Sequence, residues 1–407
     1  MKPLSERIRR ISASRTVQLT GVIENFRRQG RHIINLGIGE PDESPSQAVV
    51  SKTVHALKGG QTRYGPVSGI QDLREAIAQK FDGYTAQNIL VTNGSKQALY
   101  TALQVVCNPG DQVIIPRPCW VSFCEQIKLA GAVPVLVDTK AHQLDFEAIE
   151  RAVNTRTKMI IINSPNNPTG AIYPGDVLRK IADLAIKNDL YLMSDEAYEA
   201  FVYDGWAYSS LFDFPHVRDR LVVAGSFSKT YCMTGFRIGY AAAPEEIITA
   251  MARLQSHLTG NVCTFVQHGA LAAARMDPCE FDRCRNKLQK KRDITLEIPG
   301  GLVEQSDTPE QAARRELFEE TGYRPSGTFS LGAVHPNPAI QNNACYTYLA
   351  KNVTLSGTQD QDDKEDIQVV LRPLAEIPDI IQKGEITHSL VLAAFYRYFM
   401  EYAPLSI

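Results

Sequence analysis

The chain has 407 residues, 44% of them hydrophobic, and its 43 basic and 45 acidic side chains give a formal charge of -2. That length supports two or three domains with at least one large core, and the near-neutral balance excludes a global field able to hold nucleic acid or an anionic membrane. Met1–Arg15 carries five basic residues but no apolar core of signal-peptide length, and nothing approaches the roughly 18 apolar residues of a membrane span. The expectation is therefore a cytoplasmic protein with no membrane and no nucleic-acid partner. Its eight cysteines are scattered, with no CxxC pair, and read as reduced thiols rather than zinc ligands or disulfides.

Residues 1–45 read as an N-terminal arm. From about 88 to 243, short apolar runs alternate with helix-like segments: Asn88–Thr92, Gln112–Pro116, Val133–Val137, Met159–Asn163, Leu190–Ser194 and Leu221–Gly225. Recurrence at crossover spacing predicts an α/β domain over 46–293, a mostly parallel sheet between helices. Ligands of such a sheet bind at the carboxyl ends of its strands. The polar or glycine-bearing segments Asn93-Gly94-Ser95, Ser164–Gly170, Asp195-Glu196 and Ser226–Lys229 all fall there. Residues 244–293 read as helices that end in the basic stretch Arg283–Arg292.

The pattern then changes, which makes 294–407 a separate segment. Leu296–Gly301 reads as a strand, and Thr308-Pro309-Glu310-Gln311 supplies an N-cap, a first-turn proline and a capping-box partner for a helix stopping at Gly322. Ala344–Leu349 and Ile367–Leu371 read as strands, Asp360–Asp366 as a solvated loop, and Ser389–Tyr402 as a final helix.

The run Ser226–Tyr240 sets Lys229 between two hydroxyls, eight residues ahead of Arg237. A lysine there can hold pyridoxal phosphate as a Schiff base and act as general acid and base, while the cofactor ring withdraws electrons from a substrate carbanion. Alone, Lys229 is more simply a surface lysine; its setting points elsewhere. Asp195, at the end of an apolar strand, can pair with the pyridine nitrogen and keep it protonated. Tyr198 and Asn167 can hydrogen-bond the phenolic oxygen. Gly94, Ser95 and Lys96 open a helix whose free amides suit a phosphate, and Ser226, Ser228 and Arg237 can complete that cup. Trp120 can stack on the ring, although a tryptophan is as readily core.

These segments, with Asn35–Asp42, Tyr64-Gly-Pro, Thr92–Ala98 and Asn166–Gly170, resemble in order and spacing the fold-type I, class I/II pyridoxal phosphate aminotransferases over about residues 15–293. The resemblance implies transfer of an amino group between an amino acid and a 2-oxo acid, and a homodimer in which Tyr64 reaches the phosphate of the neighbouring subunit. It also places Gly39 beside the substrate.

A second resemblance begins at Gly301. With Asp307, Arg315, Glu316, Leu317, Glu319, Glu320, Gly322 and Tyr323 it resembles the Nudix box, within a partial Nudix-like α/β/α segment over about 294–402. Glu316, Glu319 and Glu320 share a helix face, and three carboxylates so placed suit Mg2+, which would activate water against a nucleoside diphosphate derivative. Asp307 departs from the family's glutamate and is one methylene shorter for reaching Arg315.

Both resemblances are truncated at the seam. The aminotransferase family places its substrate-carboxylate arginine in a C-terminal segment absent here: the arginines beyond 293 are 314, 315, 324, 372 and 397, none in that context. The Nudix family usually has about three strands ahead of its box, and only Ile294–Pro299 precedes it here. Three functions follow: an aminotransferase; a Mg-dependent Nudix hydrolase with the larger domain as dimerising scaffold; or a protein that keeps pyridoxal phosphate without turnover.

Overall fold

The computed structural model describes residues 4–12, 23, 25–26, 28–30, 39–41, 43–203, 205–277, 297–304, 307–334, 344–359, 367, 369–386 and 388–402. The chain divides into two compact units, Met1–Arg285 and Asn286–Ile407. The expected motif residues Asn35–Ile38 and Asp42, the basic stretch 283–292 and the acidic loop 360–366 lie outside the described residues.

The first unit is built on seven strands: β1 (Ile89–Thr92), β2 (Gln112–Arg117), β3 (Val133–Asp138), β4 (Thr157–Asn163), β5 (Tyr191–Asp195), β6 (Leu221–Ser226) and β7 (Gly239–Ala242). They form one sheet in the order β1-β7-β6-β5-β4-β2-β3. β7 runs antiparallel to both neighbours and every other pairing is parallel. Besides a single turn at Glu6–Arg9, the described helices of this unit include α1 (Gln47–Lys58), α2 (Gln71–Ala78), α3 (Ser95–Val106), α4 (Val121–Leu129), α5 (Phe146–Ala152), α6 (Gly175–Lys187), α7 (Glu245–Leu258) and α8 (Thr264–Ala274).

Both faces of the sheet are apolar, because successive side chains of a strand point to opposite sides and each side is covered. Ile114, Ile160, Ile162, Leu192 and Val223 join one buried cluster, while Val113, Ile115, Met159, Ile161, Met193 and Val222 join the other. Helix periodicity matches this need: α6 buries Leu178, Ile181, Ala182 and Ala185, a single stripe at three- and four-residue spacing.

Six of the seven strands lie where the apolar runs predict them, and the mostly parallel sheet between helices is present. β7 is the exception. Gly-Tyr-Ala-Ala has no branched run to mark it, and it enters the sheet through close approach: a Cβ on Gly239 would sit 2.5 Å from the Ser95 nitrogen and 2.8 Å from the Gly225 oxygen. Backbone contact of that kind leaves no periodic signal.

The second unit contains α9 (Pro309–Thr321), β8 (Tyr323–Arg324), β9 (Gly327–Val334), β10 (Cys345–Lys351), β11 (Thr354–Leu355), α10 (Ile377–Gln382) and α11 (Ser389–Tyr402). The Thr308 hydroxyl accepts from the Gln311 amide at 3.3 Å and the Gln311 side chain accepts from the Thr308 amide at 2.8 Å, the capping box that the spacing predicts. Gly322 ends α9 in the left-handed region. Among the described residues β9 pairs with β10 and β8 with β11.

The strands expected at 296–301 and 367–371 do not form among the described residues there. A strand needs a neighbouring strand to pair its amides and carbonyls, and no strand pairs with the described residues of these segments; Leu371 stays 75% exposed and Leu302 84%. The buried cluster of this unit is small, Ile377, Ile380, Ile386 and Val391. Ile160 in the first unit is fully buried at the sheet centre. Ile160→Ala should therefore lower unfolding free energy by about 2–5 kcal/mol, read as a fall in denaturant midpoint at unchanged slope.

Candidate active site

Strand register alone brings the chemistry together. Asn163 lies level with Asp195 across β4 and β5, Asp195 with Ala224 across β5 and β6, and Ser226 with Gly239, which is level with Thr92 of β1. β1 is antiparallel to β7, as is β6, so the carboxyl ends of β1, β4, β5 and β6 share one edge of the sheet.

At that edge Asp195 is 5% exposed. Its carboxylate accepts one hydrogen bond, from the Ala197 amide at 3.2 Å, and has no cation partner among the described residues. Burial, only partly offset by that amide, pushes the carboxyl up to about 7. A buried carboxylate left this way is costly unless a positive group arrives. Asn163 braces it: the Asn163 amide nitrogen donates to the Asp195 carbonyl at 3.0 Å, and its side-chain oxygen accepts from the Asn167 amide at 2.7 Å. The Asn167 side chain then donates to the Tyr198 hydroxyl at 3.4 Å. Burial, and after it the Asp195 charge, raise the Tyr198 phenol, which keeps it a neutral donor.

Beside this acid lies a basic pocket. Gly94 caps α3 at φ 81°, a conformation that L side chains rarely adopt, and a Cβ there would stand 3.0 Å from the Arg237 guanidinium. Arg237 donates to the Thr234 carbonyl at 2.7 Å, and the Ser226 hydroxyl accepts from the Ser228 amide at 3.1 Å. Lys229 follows β6 by three residues and its ammonium donates to the Gly39 carbonyl. Burial lowers the Lys229 amine; Glu40 opposes this and Arg237 adds to it. Burial also lowers the Lys96 amine, again with Arg237 adding to the effect. Arg237, Lys96 and Lys229 have no ion pair among the described residues, so three positive groups share the pocket beside a helix start, an arrangement that attracts an anion.

Lys96 stands 4.8 Å from the Trp120 ring centroid, and that ring meets Phe123 edge-on at 5.5 Å. Tyr64 is wholly exposed in the protomer. Thus the structure gathers Gly94, Ser95, Lys96, Trp120, Asn167, Asp195, Tyr198, Ser226, Ser228, Lys229, Arg237 and Gly39 along one sheet edge, and leaves Tyr64 facing outward. Sequence reasoning missed Asn163, whose one signal is a polar residue closing an isoleucine run.

These residues fit pyridoxal phosphate. The uncompensated Asp195 suits a protonated pyridine, the Asn167–Tyr198 pair suits a phenolic oxygen, and the pocket beneath Gly94 suits a phosphate.

In the second unit Arg315 gathers acids instead. It pairs with Asp307 at 3.3 Å, Glu316 at 3.0 Å, Glu319 at 2.8 Å and Glu304 at 3.7 Å. Asp307 reaches Arg315 despite its shorter side chain. Glu320 is buried on the same helix, and no three acidic, histidine or cysteine side chains among the described residues are grouped to hold a metal ion. The arginines of this unit are largely committed as well: Arg314 to Glu310 and Thr328, Arg324 over the Phe318 ring, and Arg397 to the Leu331 and Ala333 carbonyls.

Residues 31–297 match the family model for aminotransferase class I and II, and residues 283–395 match that of the NUDIX domain. A probable aspartate/prephenate aminotransferase of Aquifex aeolicus is 38% identical over 314 residues, covering 74% of this chain and 80% of the relative. The aspartate/prephenate aminotransferase of Thermus thermophilus is 39% identical over 308 residues, covering 73% and 79%. Among solved structures, the Thermus thermophilus aspartate aminotransferase with maleate is similar at TM-score 0.69 and 38% identity, covering 72% of this chain and 79% of that one.

The Asp195 carboxyl has an ordinary value near 3.9, so its rise to about 7 means that the folded protein holds this proton where the unfolded chain has lost it. Its contribution to stability is therefore present below about pH 4 and is lost as pH rises toward 7. In cofactor-free protein, Asp195→Asn should raise unfolding free energy at pH 8 by roughly 1–4 kcal/mol and change little at pH 4, as read by denaturant unfolding at the two pH values.

Proposed function

The chain belongs to the class I and II aminotransferases, and on that premise we propose that it transfers an amino group between an amino acid and a 2-oxo acid at the carboxyl edge of the β1–β7 sheet. The observation that carries this reading is Asp195, a buried carboxylate with no cation partner among the described residues, on the same sheet edge as Lys96, Lys229 and Arg237, of which only Lys229 feels a nearby acid, Glu40. A zwitterionic cofactor, cationic at its ring nitrogen and anionic at its phosphate, balances both sets at once. When bound, pyridoxal phosphate supplies an electron-withdrawing ring that stabilises negative charge at a substrate α carbon.

The chain's own residues do the rest. Asp195 keeps the ring nitrogen protonated, and Asn163 holds the Asp195 backbone in place for that role. Tyr198 and Asn167 orient the phenolic side. Gly94, Ser95, Ser226, Ser228 and Arg237 take the phosphate, with Tyr64 of a second copy completing the cup in a homodimer. Trp120 would lie against the ring. Lys229, its amine lowered by burial, is a better nucleophile and base at neutral pH than an ordinary lysine and moves the proton at the substrate α carbon.

A dicarboxylic amino acid is the proposed substrate. The relatives are named for aspartate and prephenate, and Lys96, unpaired over Trp120, is a cation free to meet a second carboxylate. Grip on the substrate α-carboxylate falls to groups other than the family's C-terminal arginine.

Mg-dependent hydrolysis of a nucleoside diphosphate derivative at Glu316, Glu319 and Glu320 is the weaker reading, because Arg315 already neutralises two of those three carboxylates.

Purified protein should absorb near about 420 nm, with the band lost in Lys229→Ala and replaced by the amine form of the cofactor when wild type meets its amino acid. A colourless wild-type protein after reconstitution, or a band that no amino acid shifts, defeats aminotransfer. Lys96→Ala should lower kcat/KM for aspartate by about 10- to 100-fold, the loss of one charged hydrogen bond, and leave alanine within about threefold, measured by paired steady-state assays.

A further inference from the structure

Two buried glutamines meet next to the turn that opens α3. Gln97 lies in the first turn of that helix, and Gln255, fully buried, lies in the last turn of α7. The Gln97 side-chain oxygen accepts from the Asn93 amide at 2.8 Å; its nitrogen donates to the Gln255 side-chain oxygen at 3.3 Å and to the Thr259 hydroxyl at 2.9 Å. The Gln255 nitrogen donates in turn to the Val67 carbonyl at 2.9 Å and the Val91 carbonyl at 3.0 Å. The ends fix the direction of this chain. A backbone amide can only donate and a carbonyl can only accept, so the Gln97 oxygen must meet Asn93, the Gln255 nitrogen must meet Val67 and Val91, and the bond between the two side chains has one polarity.

Each end of the chain lies in a segment of the site. Asn93 precedes Gly94, where the Thr92 hydroxyl also donates to the Gly94 carbonyl at 3.0 Å, so Gln97 pins the turn from which α3 starts. Val67 belongs to the segment that bears Tyr64. That segment is held at its Arg63 carbonyl by the Thr264 hydroxyl at 3.0 Å, at the Val67 carbonyl by Gln255, at the Ser68 carbonyl by the Val91 amide at 3.0 Å, and at the Ile70 amide by the Gln267 oxygen at 2.8 Å. Tyr64 itself is wholly exposed. An outward side chain on a backbone fixed at both flanks is preorganised to meet a second molecule.

We propose that Gln97 and Gln255 are positioning residues for the cofactor phosphate: Gln97 fixes the turn at Gly94 that a protomer keeps for itself, and Gln255 ties that turn to the loop from which Tyr64 reaches the phosphate of a second copy. The proposal rests on the phosphate placement and the homodimer argued above. Neither glutamine meets the cofactor. Removing either amide leaves buried donors and carbonyls without partners and frees the turn or the loop that they held. The loss therefore falls on the phosphate end of the cofactor and spares the aldehyde end, where Asp195 and Lys229 are carried by β5 and by the segment after β6.

The test titrates cofactor-stripped full-length protein with two aldehydes that differ only in the phosphate, pyridoxal phosphate and pyridoxal, following the band near about 420 nm with Lys229→Ala as background. Gln97→Met and Gln255→Met, which keep side-chain length without hydrogen bonds, should each raise Kd for pyridoxal phosphate by about 10-fold, the effect of about one lost hydrogen bond, and change that for pyridoxal by less than about twofold. Gln112→Met removes a buried amide that accepts from Asn154 at 2.7 Å at the amino end of β2, and should leave the ratio of the two constants as in wild type. Tyr64→Phe should raise that ratio more in wild type than in Gln255→Met, because the two changes act on one loop. Each protein is read at a temperature at which circular dichroism shows it folded; should Gln255→Met not fold, Gln97→Met decides on its two constants. A ratio unchanged in either glutamine variant, a loss shared equally by pyridoxal, the same change in Gln112→Met, or a Tyr64→Phe effect equal in the two backgrounds overturns the proposal. Wild type that binds neither aldehyde at Lys229 overturns the aminotransferase reading with it, whereas wild type whose band an amino acid shifts keeps that reading when the variants fail.

Discussion

The register of the seven-stranded sheet is the constraint on which the site depends. Because Asn163, Asp195, Ala224, Ser226, Gly239 and Thr92 are tied by strand pairing, a one-residue slip anywhere in this ladder would turn Asp195 from the site into a core face and leave Ser226 on the wrong side of its strand. Burial on both faces of the sheet opposes such a slip, since every inward residue would have to exchange clusters. The two apolar cores therefore stabilise the fold and at the same time aim the polar groups at the edge.

The polar groups are then arranged against their own stability. A carboxylate is buried with one backbone amide as its hydrogen-bond donor, while three basic side chains at the same edge make no ion pair among the described residues, Glu40 acting on Lys229 alone. Pairing them directly would lower the energy of the empty site and fill it. An edge that carries both kinds of group is receptive to a molecule that carries both charges, and the neutral Tyr198 and Asn167 add donors there rather than charge. Asn163 belongs to this arrangement although it meets no ligand, because it couples the ends of two strands.

The second unit follows a different logic. Its helix α9 is well capped and its acids are drawn to Arg315 rather than spread toward solvent. Among the described residues its sheets are two strands wide, and apolar side chains such as Leu302, Leu371 and Met400 are exposed. A small cluster of isoleucines and a valine is a modest core for a segment of that length. The first unit has the opposite balance, a large double core with one narrow polar edge.

Composition, periodicity and short motifs were sufficient to determine much of this: six strands, the capping box at Thr308, the placement of Asp195, Lys229 and Gly94 at strand and helix ends, and the presence of two families in one chain. Each of these rests on local chemistry, alternation of apolar residues or a cap within four positions, and so is written in consecutive letters. What required the folded chain was whatever depends on partners distant in sequence. β7 exists because Gly239 admits backbone at van der Waals contact, Asn163 matters because register sets it level with Asp195, and the described residues of the segments at 296–301 and 367–371 are not strands because no strand pairs with them. The reach of Asp307 to Arg315 was likewise decided by packing, since side-chain distance, unlike residue type, is a property of the tertiary structure.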